Sequence, residues 1–252
     1  MRLEGMTAVV TGGAGYIARA TSLALAKEGA DVASLDIESP SKQEDLIREI
    51  VRLGRKAIAL QGDITEKDSV NHMIRQVIEK FRKIDLLVNV AGINIGAPLE
   101  ELSVELWDKV MAVNLKSVFL CSVACAKVMM RYKKGNIINI ASASAHRVAA
   151  NTGAFGPSKA GVISLTKQMA LEWAKYNIRV NAVSPGPVLT PKTQKRVEES
   201  KERIAKIPMG RVGKPEEIAE VIVFLAGEES SYMTGQVLVV DGGGVETWWL
   251  YP

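Results

Sequence analysis

One short stretch of the chain pairs a lysine with an aromatic residue on a predicted helix. In "GAFGPSKAGV", residues 153–162, Lys159 follows Phe155 by four residues, so both project from one face of a predicted helix. A nearby ammonium lowers the pKa of a phenol from about 10, which would let a tyrosine at position 155 exchange a proton near neutral pH. Phenylalanine fills the space of tyrosine without its oxygen. The stretch therefore holds an ammonium that could lower the pKa of a phenol, but no phenol at this spacing.

A glycine-rich turn, "TGGAGYIA" at residues 11–18, lies between a predicted strand and a predicted helix. Gly13, Gly15 and Ala18 match the pattern G-x-G-x-x-G/A, in which glycines allow a pyrophosphate to approach the helix N-terminus. Asp36 ends the next predicted strand, about 20 residues on, where a carboxylate accepts hydrogen bonds from ribose hydroxyls and repels a 2′-phosphate. The pattern predicts a site for NAD rather than NADP. The competing interpretations are an ordinary turn and a solubilising charge at a strand end.

Strands and helices that would position these residues alternate along the whole chain. Near-continuous apolar strands separated by amphipathic helices predict a parallel sheet covered on both faces, which is the doubly wound Rossmann arrangement of the α/β class. No linker or repeat interrupts the pattern, so residues 1–252 are predicted to form one domain with a seven-stranded sheet. The predicted strands are 7–11, 31–37, 56–62, 84–90, 135–142, 177–184 and 236–242, and the predicted helices are 16–28, 41–54, 66–82, 104–132, 156–175 and 215–227.

The composition is that of an average globular protein, with 24% charged residues, 47% hydrophobic residues and a net charge of +4. The basic residues are dispersed, so no nucleic-acid partner is expected. No uninterrupted apolar run approaches the roughly 18 residues needed to cross a bilayer, and the N-terminus lacks a signal pattern. Cys121 and Cys125 are predicted to be buried free thiols, because no further metal ligands lie near them. Together these features predict a cytoplasmic protein with no membrane partner and no metal site.

With these motifs in place, the whole chain resembles the short-chain dehydrogenase/reductase family, in its branch of about 250 residues. The matching motifs follow the family's order. They are the glycine-rich turn, "GDIT" at 62–65, "NVAG" at 89–92, "WDKVMAVNLKSVF" at 107–119, Ser142 thirteen residues before position 155, "FGPSK" at 155–159, "NAVSPGPVLTP" at 181–191 and "VDGG" at 240–243.

The resemblance implies an NAD-dependent oxidoreductase that interconverts an alcohol and a ketone. In the family, serine binds the substrate oxygen, tyrosine moves the proton, lysine lowers the pKa of the tyrosine, and asparagine links the lysine to solvent through a water. The implied catalytic positions are Asn114, Ser142, Phe155 and Lys159. The implied cofactor-binding residues are Gly12, Gly13, Gly15, Tyr16, Ile17, Asp36, Asp63, Ile64, Asn89, Ala91, Gly92, Lys159, Pro185, Gly186, Val188 and Thr190.

The chain departs from the family pattern at two places. In the glycine-rich turn, Gly15-Tyr16 has the order of the longer, sugar-nucleotide branch, and Ala18 replaces a third glycine. Phe155 stands where the family has its tyrosine, which predicts cofactor and substrate binding with turnover close to absent. Three interpretations stay open: an ordinary dehydrogenase in which tyrosine has been replaced by phenylalanine by engineering, to trap a bound substrate; a naturally non-catalytic protein that binds or senses NAD; and a reaction that needs no tyrosine.

The substrate pocket is predicted from polar residues near one mouth of the fold and from a variable lid, about residues 190–214. The hypothesis is a small polar or anionic substrate such as a polyol, a sugar acid or a sulfonate, bound by Arg147 and a lid cation. A solvated helix face is the competing interpretation of the lid charges, and a loop position is that of His146. The candidate substrate residues are Asn94, Ser144, His146, Arg147 and Asn151. The lid cations are Lys192, Lys195, Arg196, Lys201, Arg203 and Lys206.

The C-terminal tail, "GVETWWLYP", carries Trp248, Trp249 and Tyr251. Each aromatic side chain can bury about 150–250 Å², so exposure to water is unfavourable. Similar enzymes are commonly tetramers, and the tail is therefore predicted to pack against a neighbouring subunit of a homotetramer. Packing within its own chain is the alternative.

Overall fold

A computed structural model describes residues 1–191 and 193–247, and its centre is a seven-stranded parallel sheet. The strand order β3-β2-β1-β4-β5-β6-β7 is the doubly wound Rossmann arrangement, which confirms the predicted fold class. Apolar, largely β-branched runs form the central strands because both of their faces are buried. The strands are β1 (Thr7–Thr11), β2 (Asp31–Asp36), β3 (Ala57–Gln61), β4 (Leu86–Asn89), β5 (Gly135–Ile140), β6 (Ile178–Pro185) and β7 (Val237–Val240).

Helices cover both faces of the sheet, and each face has its own apolar cluster. Helices α1, α2 and α9 pack on one face through residues such as Leu25, Ile50 and Ile222. Helices α3, α5 and α6 pack on the other face through residues such as Met73 and Met169. The helices are α1 (Tyr16–Lys27), α2 (Glu44–Arg52), α3 (Lys67–Phe81), α4 (Val104–Met111), α5 (Ser117–Tyr132), α6 (Phe155–Trp173), α7 (Gln194–Glu199), α8 (Lys201–Ala205) and α9 (Pro215–Ala226).

The two cysteines lie inside the second cluster, as predicted. Cys121 and Cys125 are buried free thiols on the face of α5 that packs against the sheet. Burial raises the pKa of Cys121 to about 12, because a thiolate there would lose its hydration. The same cause raises the pKa of Cys125 well above its ordinary value.

The sheet reverses its winding between β1 and β4. Strand β1 pairs with β2 on one side and with β4 on the other, both in parallel register. The loops after these two strands therefore separate in opposite directions and leave a crevice at the carboxyl ends of the strands, where ligands bind in such sheets. The glycine-rich turn and the segment after β4 both lie at this edge.

The predicted helix 104–132 contains a local defect that the sequence pattern did not predict. Helix α4 passes into α5 through a π-helical turn at Ala112–Lys116. A π turn widens the helix by one residue, and such turns occur frequently at functional sites. Here the turn contains Asn114, which is fully buried.

The helical segment Val104–Tyr132 is long and apolar enough to cross a membrane by length and composition alone. In the structure its α5 portion packs against the sheet through Val118, Ser122 and Met129, which are buried. This packing accounts for its apolar composition.

Some predicted features lie outside the described part of the chain. These are the aromatic tail with Trp248, Trp249 and Tyr251, the lid residue Lys192, and the side chains of Lys195, Arg196 and Arg203.

Candidate active site

The glycine-rich turn packs closely against its neighbours, as the glycine pattern predicts. Gly12 has a φ of +76°, and a Cβ added there would lie 2.9 Å from the Cα of Ala91. The amides of Gly12 and Gly13 both donate to the carbonyl of Leu35, at 2.8 and 3.1 Å. Helix α1 begins immediately after Gly15, and no described side chain caps its first N–H groups. These free donors are the arrangement that binds a pyrophosphate.

Asp36 lies beside this turn at the end of β2. Its carboxylate accepts hydrogen bonds from the amides of Ala14 and Glu38, each at 2.9 Å. The side chain remains partly exposed. The structure therefore brings the glycine-rich turn and the acidic residue together, as the fingerprint predicts. Tyr16 and Ile17 form the start of α1, and the Tyr16 side chain is 38% exposed.

Residues after β3 and β4 contribute to the same edge of the sheet in different ways. Asp63 is partly buried and accepts from the amide and the hydroxyl of Thr65, at 2.8 and 2.7 Å, so its carboxylate holds its own turn; Ile64 lies within that turn. Asn89 is buried, and its amide donates to Ser122 Oγ and Asn139 Oδ1. The Asn89 side chain therefore joins β4 to β5 and α5.

Asn114 and Lys159 converge on Gly92. A Cβ added to Gly92 would lie 3.3 Å from Asn114 Oδ1 and 3.4 Å from Lys159 Nζ. Asn114 binds the Ile93 backbone twice, accepting from its amide at 2.8 Å and donating to its carbonyl at 2.9 Å. It also donates to Ser158 Oγ at 3.0 Å. The π turn thus places one side chain that fixes the segment after β4 and reaches α6.

Lys159 is 4% exposed, and its ammonium donates to the carbonyl of Ile140 at 2.7 Å. Loss of hydration on burial lowers the pKa of Lys159 from its ordinary 10.5 to about 8. A lysine with this pKa changes charge close to neutral pH. It is therefore suited to exchanging a proton.

Ser142 and Phe155 lie next to this lysine along the chain or in space: Ser142 comes shortly after Ile140 of β5, and Phe155 begins the helix that carries Lys159. Ser142 follows β5, and its hydroxyl accepts from the amide of Ser144 at 3.1 Å. Phe155 is the first residue of α6, is partly buried, and accepts at its backbone carbonyl from Ser158 Oγ at 2.7 Å. The hydrocarbon ring carries no group that could exchange a proton.

A cavity of about 890 Å³ lies between the segment after β5, the lid and the C-terminal turn, which is residues 241–245 after β7. It has the size of a small-molecule site. Four of the five predicted substrate residues line it: Asn94, Ser144, Arg147 and Asn151. Arg147 also donates to the carbonyl of Gly244 at 3.1 Å, which ties one wall of the cavity to the other.

His146, the fifth predicted substrate residue, is not among the residues that line this cavity. Its Nε2 lies 2.9 Å from Ser184 Oγ, near the end of β6. The ring therefore contacts the strand that leads into the Pro185-Gly186 segment.

The segment after β6 forms the remaining wall of the site. Gly186 donates to the carbonyl of Val240, and a Cβ at Gly186 would lie 2.7 Å from that of Asp241. Pro185 ends β6 and is buried. Val188 lines the cavity, and Thr190, at the start of the lid, is bound to Thr193, which precedes α7.

Sequence reasoning missed several cavity residues and one support. Ser158 holds Asn114 in place, and its position one residue before Lys159 could have indicated this. The lid and the C-terminal turn contribute lining residues that no motif singled out; these are Val197, Ser200, Ile204 and Val245, among others. Lys206, one of the predicted lid cations, and Asp241 of the "VDGG" motif also line the cavity.

The buried charge of Lys159 is expected to make folding stability depend on pH. Below pH 8 the lysine is protonated in both the folded and the unfolded state, so its burial cost is fully present. Between about 8 and 10.5 the unfolded state binds more protons, so stability increases with pH. Lys159→Met removes the cost of burying this charge, so the variant is expected to be more stable than the parent chain at pH 7. This difference in the free energy of unfolding is expected to shrink by roughly 2 kcal/mol between pH 7 and 9.5.

Urea unfolding of both proteins across this range measures the difference, and titration of the cysteines cancels in the comparison. Lys127→Met, at an exposed position of α5, is the matched control and should show no such trend. A stability difference that stays constant with pH would contradict a lowered pKa for Lys159.

Comparison with known proteins adds to this geometry. A family model described as enoyl-(acyl carrier protein) reductase matches residues 12–244. The 3-oxoacyl-(acyl-carrier-protein) reductase of Thermotoga maritima is 44% identical over 246 residues, which cover 96% of this chain and 99% of that protein. The 2-dehydro-3-deoxy-D-gluconate 5-dehydrogenase of Escherichia coli is 39% identical over 245 residues, covering 96% of each. An NAD⁺-bound xylitol dehydrogenase superposes with a TM-score of 0.93 at 32% identity, covering 96% of this chain and 100% of that one.

Proposed function

Because this chain belongs to the short-chain dehydrogenase/reductase family, we propose that it is an NAD(H)-dependent oxidoreductase acting between a secondary alcohol and a ketone. The observation that carries the proposal is the convergence of Asn114 and Lys159 on Gly92, at the edge of the sheet that also holds the glycine-rich turn. The family resemblance gives these residues their roles. Their contacts give the roles a geometric basis.

The residues at the glycine-rich turn fit a dinucleotide. The close approach of Gly12 to Ala91 leaves no room for a side chain, and the uncapped start of α1 offers N–H donors for a pyrophosphate. Asp36 carries a partly exposed carboxylate that suits ribose hydroxyls and disfavours a 2′-phosphate. The xylitol dehydrogenase neighbour is NAD⁺-bound, which supports NAD as the cofactor.

The bound dinucleotide supplies the hydride acceptor or donor, and the residues of this chain orient the substrate and handle charge. Ser142 donates a hydrogen bond to the substrate oxygen. Lys159 holds a positive charge one helical turn from position 155. Asn114 fixes the segment at Gly92 relative to α6 through its hydrogen bonds. Phe155 excludes water but exchanges no proton.

The absence of a phenol at position 155 points to slow turnover with binding preserved. General acid–base catalysis contributes roughly 10²–10⁴-fold to a rate, which is the loss expected here. The interpretation that we favour is an ordinary dehydrogenase whose tyrosine has been replaced by phenylalanine. A naturally non-catalytic NAD-binding or NAD-sensing protein is the alternative, and a reaction that needs no tyrosine is the third interpretation.

The cavity lining favours a small polar substrate, namely a polyol, a sugar acid or a sulfonate. Arg147, Asn94, Ser144 and Asn151 supply polar groups along one wall. A guanidinium binds a carboxylate or sulfonate through paired hydrogen bonds. The names of the gluconate-derivative dehydrogenase of Escherichia coli and of xylitol dehydrogenase are those of enzymes for a sugar acid and a polyol, which supports this class.

Arg147→Ala tests the substrate class. Because a hydrogen bond to a charged group contributes about 1.5–3 kcal/mol, this variant is expected to bind gluconate about tenfold or more weakly, with xylitol binding changed less than about twofold. Isothermal titration calorimetry of both ligands in the presence of saturating NAD⁺ measures this. Arg131→Ala, at the exposed end of α5, is the control. Equal losses for both ligands would argue against an anion-binding role, and failure of the parent chain to bind either would argue against the substrate class.

We further propose that the protein works in the cytoplasm as a homotetramer. The mixed, moderate charge and the family resemblance support this assignment. The aromatic C-terminal tail is proposed as part of a subunit interface.

A further inference from the structure

Two polar side chains lie directly beneath the glycine-rich turn. A Cβ added to Gly13 would lie 1.9 Å from Ser34 Oγ and 2.2 Å from Gln43 Oε1. Ser34 belongs to β2, two residues before Asp36, and Gln43 ends a 3-10 turn, Pro40–Gln43, that leads into α2. The turn therefore rests on an interior pair of polar groups, not on an apolar surface.

The pair is fully enclosed and incompletely satisfied. Ser34 is 0% exposed and Gln43 is 1% exposed. The Ser34 hydroxyl donates to Gln43 Oε1 at 2.5 Å. Gln43 Nε2, by contrast, has no hydrogen-bond partner among the residues that the structure describes. A buried amide nitrogen without a partner is costly, so its retention beside the turn calls for an explanation.

We propose that Gln43 is a positioning residue for the dinucleotide, acting through Gly13 together with Ser34. The inference rests on the proposed function, because it assumes that the glycine-rich turn binds the adenosine half of NAD(H). The amide of Gln43 sets how far Gly13 lies from β2, and therefore where the N–H donors at the start of α1 meet the pyrophosphate. Asp36 is held by the same turn through the amide of Ala14.

This role explains why position 13 requires glycine at a φ that other residues could adopt. Gly13 is absent from the positive-φ residues of the described chain, so the backbone alone does not demand glycine there. The obstacle to a side chain is the Ser34–Gln43 pair. A support of this kind controls binding because a site loses much of its affinity when the supporting residues let the binding groups shift by about 1 Å.

Gln43→Met is the primary test, since methionine keeps the length of the side chain and removes its amide. Titration calorimetry with NADH and with ADP-ribose is expected to show both ligands bound about tenfold more weakly. Ser34→Ala is expected to weaken both ligands in the same direction. The double variant is expected to bind no more weakly than Gln43→Met alone, because paired residues are not additive. Gln168→Met, at an exposed position of α6, is the matched control.

The outcomes separate this inference from the proposed function. If the parent chain binds neither NADH nor ADP-ribose, the proposed function fails, and the inference fails with it. If the parent chain binds both and Gln43→Met binds them within twofold, the inference alone is overturned, even if urea unfolding shows a stability loss. If Gln43→Met does not fold, Ser34→Ala decides, and unchanged affinity in that variant overturns the inference.

Discussion

Phe155→Tyr is expected to raise the rate of NAD⁺ reduction by roughly 10²–10⁴-fold over the parent chain, with NADH affinity changed little. The substitution adds one hydroxyl to a ring that already fills the position. That hydroxyl would lie one helical turn from Lys159, whose buried ammonium favours the phenolate and lowers the pKa of the phenol. Ser142 and Asn114 are already in place, so no other group has to be supplied.

The measurement is NADH formation from polyols, sugar acids and hydroxy-sulfonates, followed for both proteins with equal cofactor saturation. Phe155→Leu controls for changes in packing, and Phe119→Tyr, on the exposed side of α5, controls for an added phenol elsewhere. Comparable turnover by the parent chain and the tyrosine variant would contradict the prediction and favour a reaction that needs no tyrosine. Binding of NADH without turnover by either protein would favour the non-catalytic interpretation.

Asp36→Asn is expected to shift the cofactor preference towards NADP(H), changing the ratio of NADH to NADPH affinity by about 10–100-fold. Two charges about 5 Å apart interact with about 3 kcal/mol at an effective dielectric constant of about 20, which sets the upper end of this range. Asparagine keeps one oxygen to accept from the amide of Ala14 or Glu38, so the glycine-rich turn keeps part of its anchor. The charge is therefore the main property that changes.

Titration calorimetry with NADH and NADPH, at two salt concentrations, measures the shift. Because the effect is electrostatic and Asp36 is partly exposed, it should decrease as salt increases. Asp31→Asn is the matched control, since Asp31 lies at the opposite end of the same strand. A parent chain that already binds NADPH as tightly as NADH would contradict the assignment of Asp36 as the selecting residue.

Much of the fold could be predicted because its signals are local. Apolar strands, such as β1 with Val9 and Val10, are recognisable within short windows of sequence. Their alternation with amphipathic helices predicts the parallel sheet. The helix 104–132 shows where this reasoning stops. The π turn at Ala112–Lys116 contains Asn114, whose side chain is bonded to Ile93 and Ser158, and both of these residues are distant in sequence.

Local patterns in the sequence are enough to predict the order of the elements, the glycine-rich turn, the acid at the end of β2 and the four-residue spacing from Phe155 to Lys159. Each of these depends on neighbouring residues and on the periodicity of one helix or strand. By contrast, the contacts of Asn114 and Lys159 with Gly92, and of Ser34 and Gln43 with Gly13, are visible only in the folded structure. The same holds for His146, whose ring contacts Ser184 and is not among the residues that line the cavity. These contacts join side chains from separate strands and loops, so they depend on how the elements pack against one another, which no local pattern encodes.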